Sequence, residues 1–331
     1  MARASFWNRV IAANVGPEAD VHYIPGSPTS AALPYFVTVD PETLVAPAAL
    51  DSVRRRVDQA LASFLQGRRE TMAAIAPEAA EMVDELRRIV AAGGKRIRPA
   101  FCYWGYRAAG GDDGEPIVRA AAALELFHTF ALIHDDVMDE SQTRRGEPTT
   151  YVRFAGARAG EADALRFGRS VAVLIGDLAA VLADEALIDS GFASDRLLSA
   201  LRRYALMREE VAAGQFLDVR GAVGTPSPDR IALLKTGAYT VEGPLHVGAL
   251  LAGGSPELLA ALSRFARPLG MAFQFRDDLI DEGEGAVPGA AAAVVNRMIE
   301  EARSAVRDPA IPGEAAEALG SLALALALPE G

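Results

Sequence analysis

Apolar residues recur with helical spacing along most of the chain, in segments that end at glycine or proline. These segments are rich in alanine and leucine, which favour helices. The pattern predicts helices over residues 49–65, 77–92, 100–109, 120–132, 170–188, 195–217, 271–280 and 290–306. It therefore indicates an all-α fold with one large helical domain, residues 49–331.

Residues 1–48 have a different composition from the rest of the chain. They show little helical periodicity and hold six prolines: Pro17, Pro25, Pro28, Pro34, Pro41 and Pro47. Because proline cannot continue a helix and favours turns, the stretch is predicted to be an irregular N-terminal arm.

The most apolar predicted helix leads directly into a cluster of three carboxylates. At about 3.6 residues per turn, Asp135 and Asp139 project from one face of this helix, and Asp136 lies about 100° away. His128 precedes Asp135 by two turns on the same face. Carboxylates this close repel each other, and Mg²⁺ would relieve the repulsion because it prefers oxygen ligands. A solvated, capped helix end is the alternative interpretation.

A second cluster with the same internal spacing occurs far downstream. Asp277, Asp278 and Asp281 fall within a mostly apolar predicted helix, and Gln274 stands one turn before them. Acids in such a helix are costly unless a partner neutralises them. The two helices together predict that both clusters meet at one metal–phosphate centre.

Basic side chains stand at positions suited to diphosphate. Arg144 and Arg145 follow the first acid cluster, and guanidinium groups bind phosphate oxygens bidentately. Lys95 and Arg98 share a face just after the Gly93–Gly94 pair, where the backbone could approach a ligand closely. For this second pair alone, a basic turn near a helix end is the alternative.

Charge and cysteine content narrow the class of protein. The net charge of −11 argues against nucleic-acid partners, which require a basic surface. The single cysteine, Cys102, excludes an internal disulfide and indicates a cytoplasmic location. No apolar run reaches the ~18 residues of a membrane span, and residues 1–15 make a poor signal peptide. We therefore expect no transmembrane segment.

Taken together, these motifs resemble those of the trans-isoprenyl diphosphate synthases, also called polyprenyl synthetases. The similarity extends from about Val83 to Asp281. It comprises, in order, Gly93-Gly94-Lys95-Arg96-Ile97-Arg98-Pro99, His128, Asp135-Asp136-x-x-Asp139, Arg144-Arg145-Gly146, Lys235-Thr236-Gly237 and Phe273-Gln274-x-x-Asp277-Asp278-x-x-Asp281. The resemblance implies an all-α, isoprenoid-synthase-type bundle of antiparallel helices around a central cavity, usually in a homodimer. It also implies Mg²⁺-dependent condensation of isopentenyl diphosphate with an allylic diphosphate (dimethylallyl, geranyl or farnesyl).

The resemblance further implies a role for each motif residue. The main Mg²⁺ ligands would be Asp135, Asp139 and Asp277, supported by Asp136, Asp278 and Asp281. Isopentenyl diphosphate would be held by Lys95, Arg98, His128 and Arg145, and the allylic substrate by Arg144, Lys235, Thr236 and Gln274. The residues expected to act most directly in catalysis are Asp135, Asp136, Asp139, Arg144, Lys235 and Asp277.

The length of the product can also be inferred from the resemblance. Family members that make geranylgeranyl diphosphate are similar in two features. They have an aromatic residue five positions before the first motif aspartate, and they have no insertion within that motif. Phe130 occupies this position before Asp135. A C20 product is therefore expected, with the farnesyl product as the alternative.

Beyond Asp281 the chain departs from the family pattern. Lys95 and Lys235 are the only lysines, so the family's diphosphate-binding lysine after the second acid motif is missing. Only 50 residues follow Asp281, fewer than the family leads us to expect. Two alternatives therefore stay open: a weakly active or non-catalytic prenyltransferase-like subunit, and a class I terpene cyclase. Against the cyclase, residues 274–281 do not match its Asn/Asp-x-x-Ser/Thr-x-x-x-Glu motif, and a cyclase needs no second diphosphate site.

Overall fold

A computed structural model describes residues 48–220, 233–281 and 289–327, and these ranges are almost entirely helical. Their α-helices are α1 (Ala48–Ile75), α2 (Ala80–Ala91), α3 (Ile97–Ala108), α4 (Glu115–Met138), α5 (Thr150–Gly156), α6 (Ala164–Ile188), α7 (Ser194–Arg220), α8 (Gly243–Ala252), α9 (Pro256–Asp281), α10 (Gly289–Ala305) and α11 (Gly313–Ala327). A 3-10 turn (Pro77–Ala79), a π-helix (Leu233–Glu242) and two short strands, β1 (Thr143–Arg144) and β2 (Glu147–Pro148), complete the described elements. The all-α prediction is confirmed.

Several element boundaries differ from those predicted. The helix expected from Pro77 begins as one 3-10 turn before α2. No strand was predicted, but residues 143–148 form the β1–β2 hairpin. The π-helix (Leu233–Glu242) does not correspond to any of the predicted helices. The predicted N-terminal arm, residues 1–48, lies almost wholly outside the described residues.

The described helices group into two compact units. The first unit comprises Ala49–Arg203 and Pro244–Gly254, and the second takes its described residues from Tyr204–Gly243 and Ser255–Gly331. The prediction of one domain over residues 49–331 remains a prediction.

Helix α4 is the central helix of the first unit and packs against α3 and α6. It has the length and composition of a membrane-spanning helix, but two thirds of its most apolar window is buried inside the structure, as in a core helix. Helices α3 and α8 approach so closely that Gly105 and Gly248 are required at the contact. A Cβ atom on Gly105 would lie 2.2 Å from the Leu245 carbonyl oxygen, and one on Gly248 would lie 1.9 Å from the Cys102 carbonyl oxygen.

Helix α9 organises the second unit by packing against the π-helix and α10. Its apolar face buries Phe265, Leu269 and Phe275. A guanidinium nitrogen of the buried Arg276 donates to the carbonyl oxygen of Leu326 in α11. These contacts fix the helix that carries the second acid motif near its carboxyl end.

Candidate active site

The first acid motif lies at the carboxyl end of α4. Asp135 is half-buried, Asp136 is buried and Asp139 is exposed just after the last helical residue. The Asp139 backbone N–H donates to the Asp135 carbonyl oxygen at 2.8 Å, so these two residues are one turn apart. Both are reachable from solvent and both offer oxygen ligands. They therefore fit Mg²⁺, which usually binds proteins through one or two carboxylates and takes further ligands from water and phosphate.

Asp136, also predicted to support the metal, has a protein partner instead. Arg144 donates from Nε and Nη2 to Oδ1 of Asp136, at 2.9 and 2.7 Å. Burial raises the pKa of the Asp136 carboxyl above its ordinary value, and the Arg144 guanidinium opposes this shift. Asp136 is thus paired with the arginine hairpin in this structure, and its supporting role at the metal stays a prediction.

The two predicted phosphate-binding arginines are on the β1–β2 hairpin, a structure that the sequence analysis missed. Thr143 pairs with Pro148 and Arg144 with Glu147, which leaves Arg145 and Gly146 as the two turn residues. Both have positive φ, 54° for Arg145 and 79° for Gly146. Two such residues are the mark of a type I′ turn, where Asn-Gly is usual and arginine is uncommon. Non-glycine residues held in this conformation cluster at functional sites.

The hairpin contacts the glycine loop between α2 and α3. A terminal nitrogen of Arg145 donates to the carbonyl oxygen of Gly93. Gly94 has φ of 152°, and a Cβ atom there would lie 3.4 Å from both terminal nitrogens of Arg145. Two segments that are far apart in sequence, and that were both predicted to bind diphosphate, are therefore in direct contact.

His128 stands among several guanidinium groups. Burial lowers the pKa of His128 well below its ordinary value, and the charges of Arg98, Arg145, Arg144 and Arg96 lower it further. The imidazole is therefore neutral at pH 7, and the site concentrates positive charge around it. Such a cluster favours an anion, because a bound anion relieves the repulsion between the cations.

These groups line one cleft in the first unit. Its walls include Gly93, His128, Asp136, Arg144 and Arg145. Lys95 and Arg98, from the same loop and the first turn of α3, are half-buried. The cleft thus combines positive charge with hydrogen-bond donors beside the acids at the end of α4.

The second group of predicted site residues belongs to the second unit. Asp277, Asp278 and Asp281 lie in the last turns of α9, and Lys235 and Thr236 lie in the π-helix. Gln274 is half-buried on α9. The side chains of the three aspartates and of Lys235 and Thr236 are outside the description, so their roles stay predictions. Within the described ranges, no group of three or more His, Cys, Asp or Glu side chains is arranged to hold a metal.

A further residue of the glycine loop, the buried Arg96, was not predicted from the sequence to have a role. Its guanidinium group pairs with Asp58 of α1 and Glu125 of α4. One signal was available in the sequence, because Glu125 is an acid inside the apolar run of α4 and needs a partner.

Comparison of the structure with solved structures of known proteins defines the class of protein by its fold. The structure is similar to a crystal structure of geranylgeranyl pyrophosphate synthase from Corynebacterium glutamicum, described as complexed with isoprenyl diphosphate and magnesium. The TM-score is 0.75 and the sequence identity 30%, over 84% of this chain and 99% of that chain. The fold is therefore that of the isoprenyl diphosphate synthases.

The family follows from the sequence. Residues 80–285 match the family model described as Polyprenyl synthetase. The chain is 35% identical over 216 residues to a short chain isoprenyl diphosphate synthase of Methanothermobacter thermautotrophicus, covering 64% of this chain and 61% of the relative. It is 31% identical over 235 residues to geranylgeranyl pyrophosphate synthase 4 of Arabidopsis thaliana, covering 66% and 59%. The chain belongs to the polyprenyl synthetase family, and its matches span about 60% of the length of these curated relatives.

Proposed function

We propose that this protein is a trans-isoprenyl diphosphate synthase, which condenses isopentenyl diphosphate with an allylic diphosphate. The observation that carries the proposal is the cluster of Arg98, Arg144 and Arg145 around a neutral His128, next to Asp135 at the end of α4. Its charge and donors suit a diphosphate. Family membership supports the same conclusion.

Each diphosphate has its own set of side chains in this proposal. Lys95, Arg98, His128 and Arg145 hold isopentenyl diphosphate, and Arg144, Lys235, Thr236 and Gln274 hold the allylic substrate. The neutral His128 donates a hydrogen bond to a phosphate oxygen without adding charge to an already cationic site. Arg145, whose described contact is with the backbone of Gly93, keeps further guanidinium donors for phosphate oxygens.

The reaction exchanges one bond for another. The bond between the allylic carbon and its diphosphate oxygen breaks, the double bond of isopentenyl diphosphate supplies the electron pair for a new carbon–carbon bond, and a proton leaves. Free diphosphate departs and accepts that proton in this proposal, since no side chain in the described part of the site is an obvious base. When bound, Mg²⁺ neutralises charge on the departing diphosphate, and Asp135, Asp139 and Asp277, with Asp136, Asp278 and Asp281 in support, would hold it.

We place the limit on product length at Phe130, one turn before His134 on α4. Its ring lies 5.4 Å from that of Phe127 and 4.7 Å from that of His134, so neighbouring rings restrict it. We expect a geranylgeranyl product from the wild-type protein. Replacing Phe130 with alanine should lengthen the product on chromatography, and an unchanged length would remove Phe130 as the limit.

We also propose a homodimer in the cytoplasm. Three large apolar side chains of α6 are exposed at intervals of seven residues, which puts them on one face: Leu174 at 57%, Val181 at 61% and Ile188 at 52%. A second copy of the chain would bury this stripe. Light scattering should give twice the chain mass of 34.9 kDa, and Val181→Glu should shift the mass toward the monomer.

The decisive assay uses Mg²⁺, labelled isopentenyl diphosphate and each allylic primer in turn. Elongated prenyl diphosphates support the proposal. A hydrocarbon formed from the allylic substrate alone would instead indicate a cyclase. No turnover with any primer would indicate a prenyltransferase-like subunit without its own activity.

A further inference from the structure

Arg96 stands between two residues predicted to bind diphosphate, Lys95 and Arg98, yet its own side chain is buried. Its φ of 51° is in the left-handed region, and its side chain is only 3% exposed. The left-handed conformation is unfavourable for an L residue, because it brings Cβ too close to the following carbonyl oxygen. Something in the folded protein must therefore stabilise this backbone.

The guanidinium group of Arg96 supplies that stabilisation through three separate contacts. Nε donates to Oδ1 of Asp58 at 2.7 Å, and Nη1 donates to Oε1 of Glu125 at 2.6 Å. Nη2 donates to the carbonyl oxygen of Val90 at 2.6 Å. All three nitrogens are engaged, and the contacts reach α1, α4 and the end of α2. Arg96 is among the residues that line the cleft, but all three of its guanidinium nitrogens already donate to protein acceptors.

The backbone of Arg96 links the same network to the site. Its carbonyl oxygen accepts the first described hydrogen bond of α3, from the N–H of Ala100 at 3.0 Å. Arg98 is in that first turn. On the other side, Gly93 presents its carbonyl oxygen to Arg145. The orientation of Arg98, and of the surface that Arg145 contacts, therefore depends on the conformation that Arg96 holds.

We propose that Arg96 is a positioning residue for the isopentenyl diphosphate site, which it shapes without touching the substrate. This inference rests on the proposed function, since it concerns the same site. A guanidinium group is needed because only it reaches three acceptors in one plane. Lysine keeps the charge but presents it at a single nitrogen.

The test compares Arg96→Lys with the wild-type protein by calorimetric titration of isopentenyl diphosphate, without allylic substrate. The matched control is Arg68→Lys, because Arg68 forms an ion pair between α1 and α6 and does not line the cleft. We expect Arg96→Lys to weaken binding about tenfold, because a misplaced Arg98 or Arg145 would lose about one charged hydrogen bond to the substrate. Arg68→Lys should leave the affinity unchanged. Equal affinity of the wild-type protein and Arg96→Lys would overturn the proposal.

Hydrogen exchange separates positioning from general destabilisation. Amides of residues 93–98 should exchange faster in Arg96→Lys than in the wild-type protein, whereas amides of α6 should not. Asp58→Asn serves if Arg96→Lys does not fold, since Asp58 is half-exposed and its loss leaves the Glu125 contact in place. We expect this variant to bind about threefold more weakly. Unchanged binding and exchange in Asp58→Asn would count against the proposal.

Failure of this inference can be told from failure of the proposed function. A wild-type protein that binds isopentenyl diphosphate but elongates no primer loses the proposed activity, while the comparison of variants still decides the role of Arg96. A wild-type protein that binds no isopentenyl diphosphate overturns both.

Discussion

The glycine loop (residues 93–96) and the β1–β2 hairpin each hold an arginine in the left-handed conformation. Arg96 in the loop has φ of 51°, and Arg145 in the hairpin has φ of 54°. Their surroundings differ. Arg96 is buried against two carboxylates, whereas Arg145 has no ion pair within 4 Å among the described residues and contacts a backbone carbonyl oxygen of the loop.

This difference indicates which arginine supports the site and which can bind a ligand. A guanidinium group whose charge is already matched by two carboxylates gains little from an anion. One whose charge is unmatched in a cleft gains a great deal. The similar backbone strain therefore serves structure at Arg96 and, in our proposal, ligand binding at Arg145.

The largest effect should come from breaking the buried network. Arg96→Met leaves Glu125, whose side chain is 9% exposed, without its guanidinium partner. We expect the free energy of unfolding to fall by about 3 kcal/mol, as when one partner of a buried ion pair is removed. Denaturant unfolding measures this value. Arg68→Met is the control, since its ion pair is about one third exposed and is worth about 1 kcal/mol or less. Equal losses of unfolding free energy in the two variants would contradict a stabilising role for the buried ion pairs of Arg96.

At the hairpin we expect a substitution to weaken substrate binding while leaving stability almost unchanged. Arg145→Asn puts the preferred Asn-Gly pair into the turn, so stability should be unchanged or slightly higher. Loss of the guanidinium group should weaken binding of isopentenyl diphosphate about thirtyfold, the range of one strong charged contact. Thermal unfolding and calorimetric titration give the two values. If binding is unaffected, Arg145 is not a ligand of this substrate.

The positive charge around His128 should be measurable through the dependence of protein stability on pH. Its folded pKa is lowered, so below its unfolded pKa of about 6.5 the unfolded state binds a proton that the folded state does not. The contribution of His128 to stability is complete above that pH and is lost as the pH falls below it. The loss amounts to at most about 1.4 kcal/mol per pH unit.

His128→Gln should remove this part of the slope of unfolding free energy against pH between 6.5 and 5. The wild-type slope, measured in the same buffers, is the reference. Identical slopes for the two proteins would contradict a neutral His128 within the cation cluster.

The smallest effect concerns the hairpin turn itself. Gly146 has φ of 79°, so Gly146→Ala should cost about 1 kcal/mol of unfolding free energy. Gly67→Ala is the matched control, because Gly67 lies in α1 with nothing within 4 Å of an added Cβ atom. There alanine should stabilise by about 0.5–1 kcal/mol. The same sign in both variants would contradict the turn conformation of Gly146.

Local sequence pattern was sufficient to predict most of the long helices, but not α5, α8, α11 or the π-helix, and it also revealed the first acid motif. The run from Ala120 to Leu132 lacks glycine and proline, and helical spacing alone separates Asp135 and Asp139 by one turn. The family motifs then indicated a substrate-binding role for Lys95, Arg98 and His128. Apolar periodicity and motif spacing are properties of short segments, so a sequence can reveal them directly.

The contacts that shape the site could not be predicted in the same way. Arg96 finds its carboxylates 38 and 29 residues away in the chain, on two different helices. The hairpin has strands of only two residues and an Arg-Gly turn in place of Asn-Gly, so it gives no strand signal. The pairing of Arg144 with Asp136 depends on that unpredicted hairpin.

The most direct test is a crystal structure of the protein with Mg²⁺ and a non-reactive isopentenyl diphosphate analogue. Our prediction is that diphosphate oxygens lie within hydrogen-bond distance of Arg98, His128 and Arg145, while Arg96 stays paired with Asp58 and Glu125. A diphosphate bound away from His128, or held by Arg96, would contradict it.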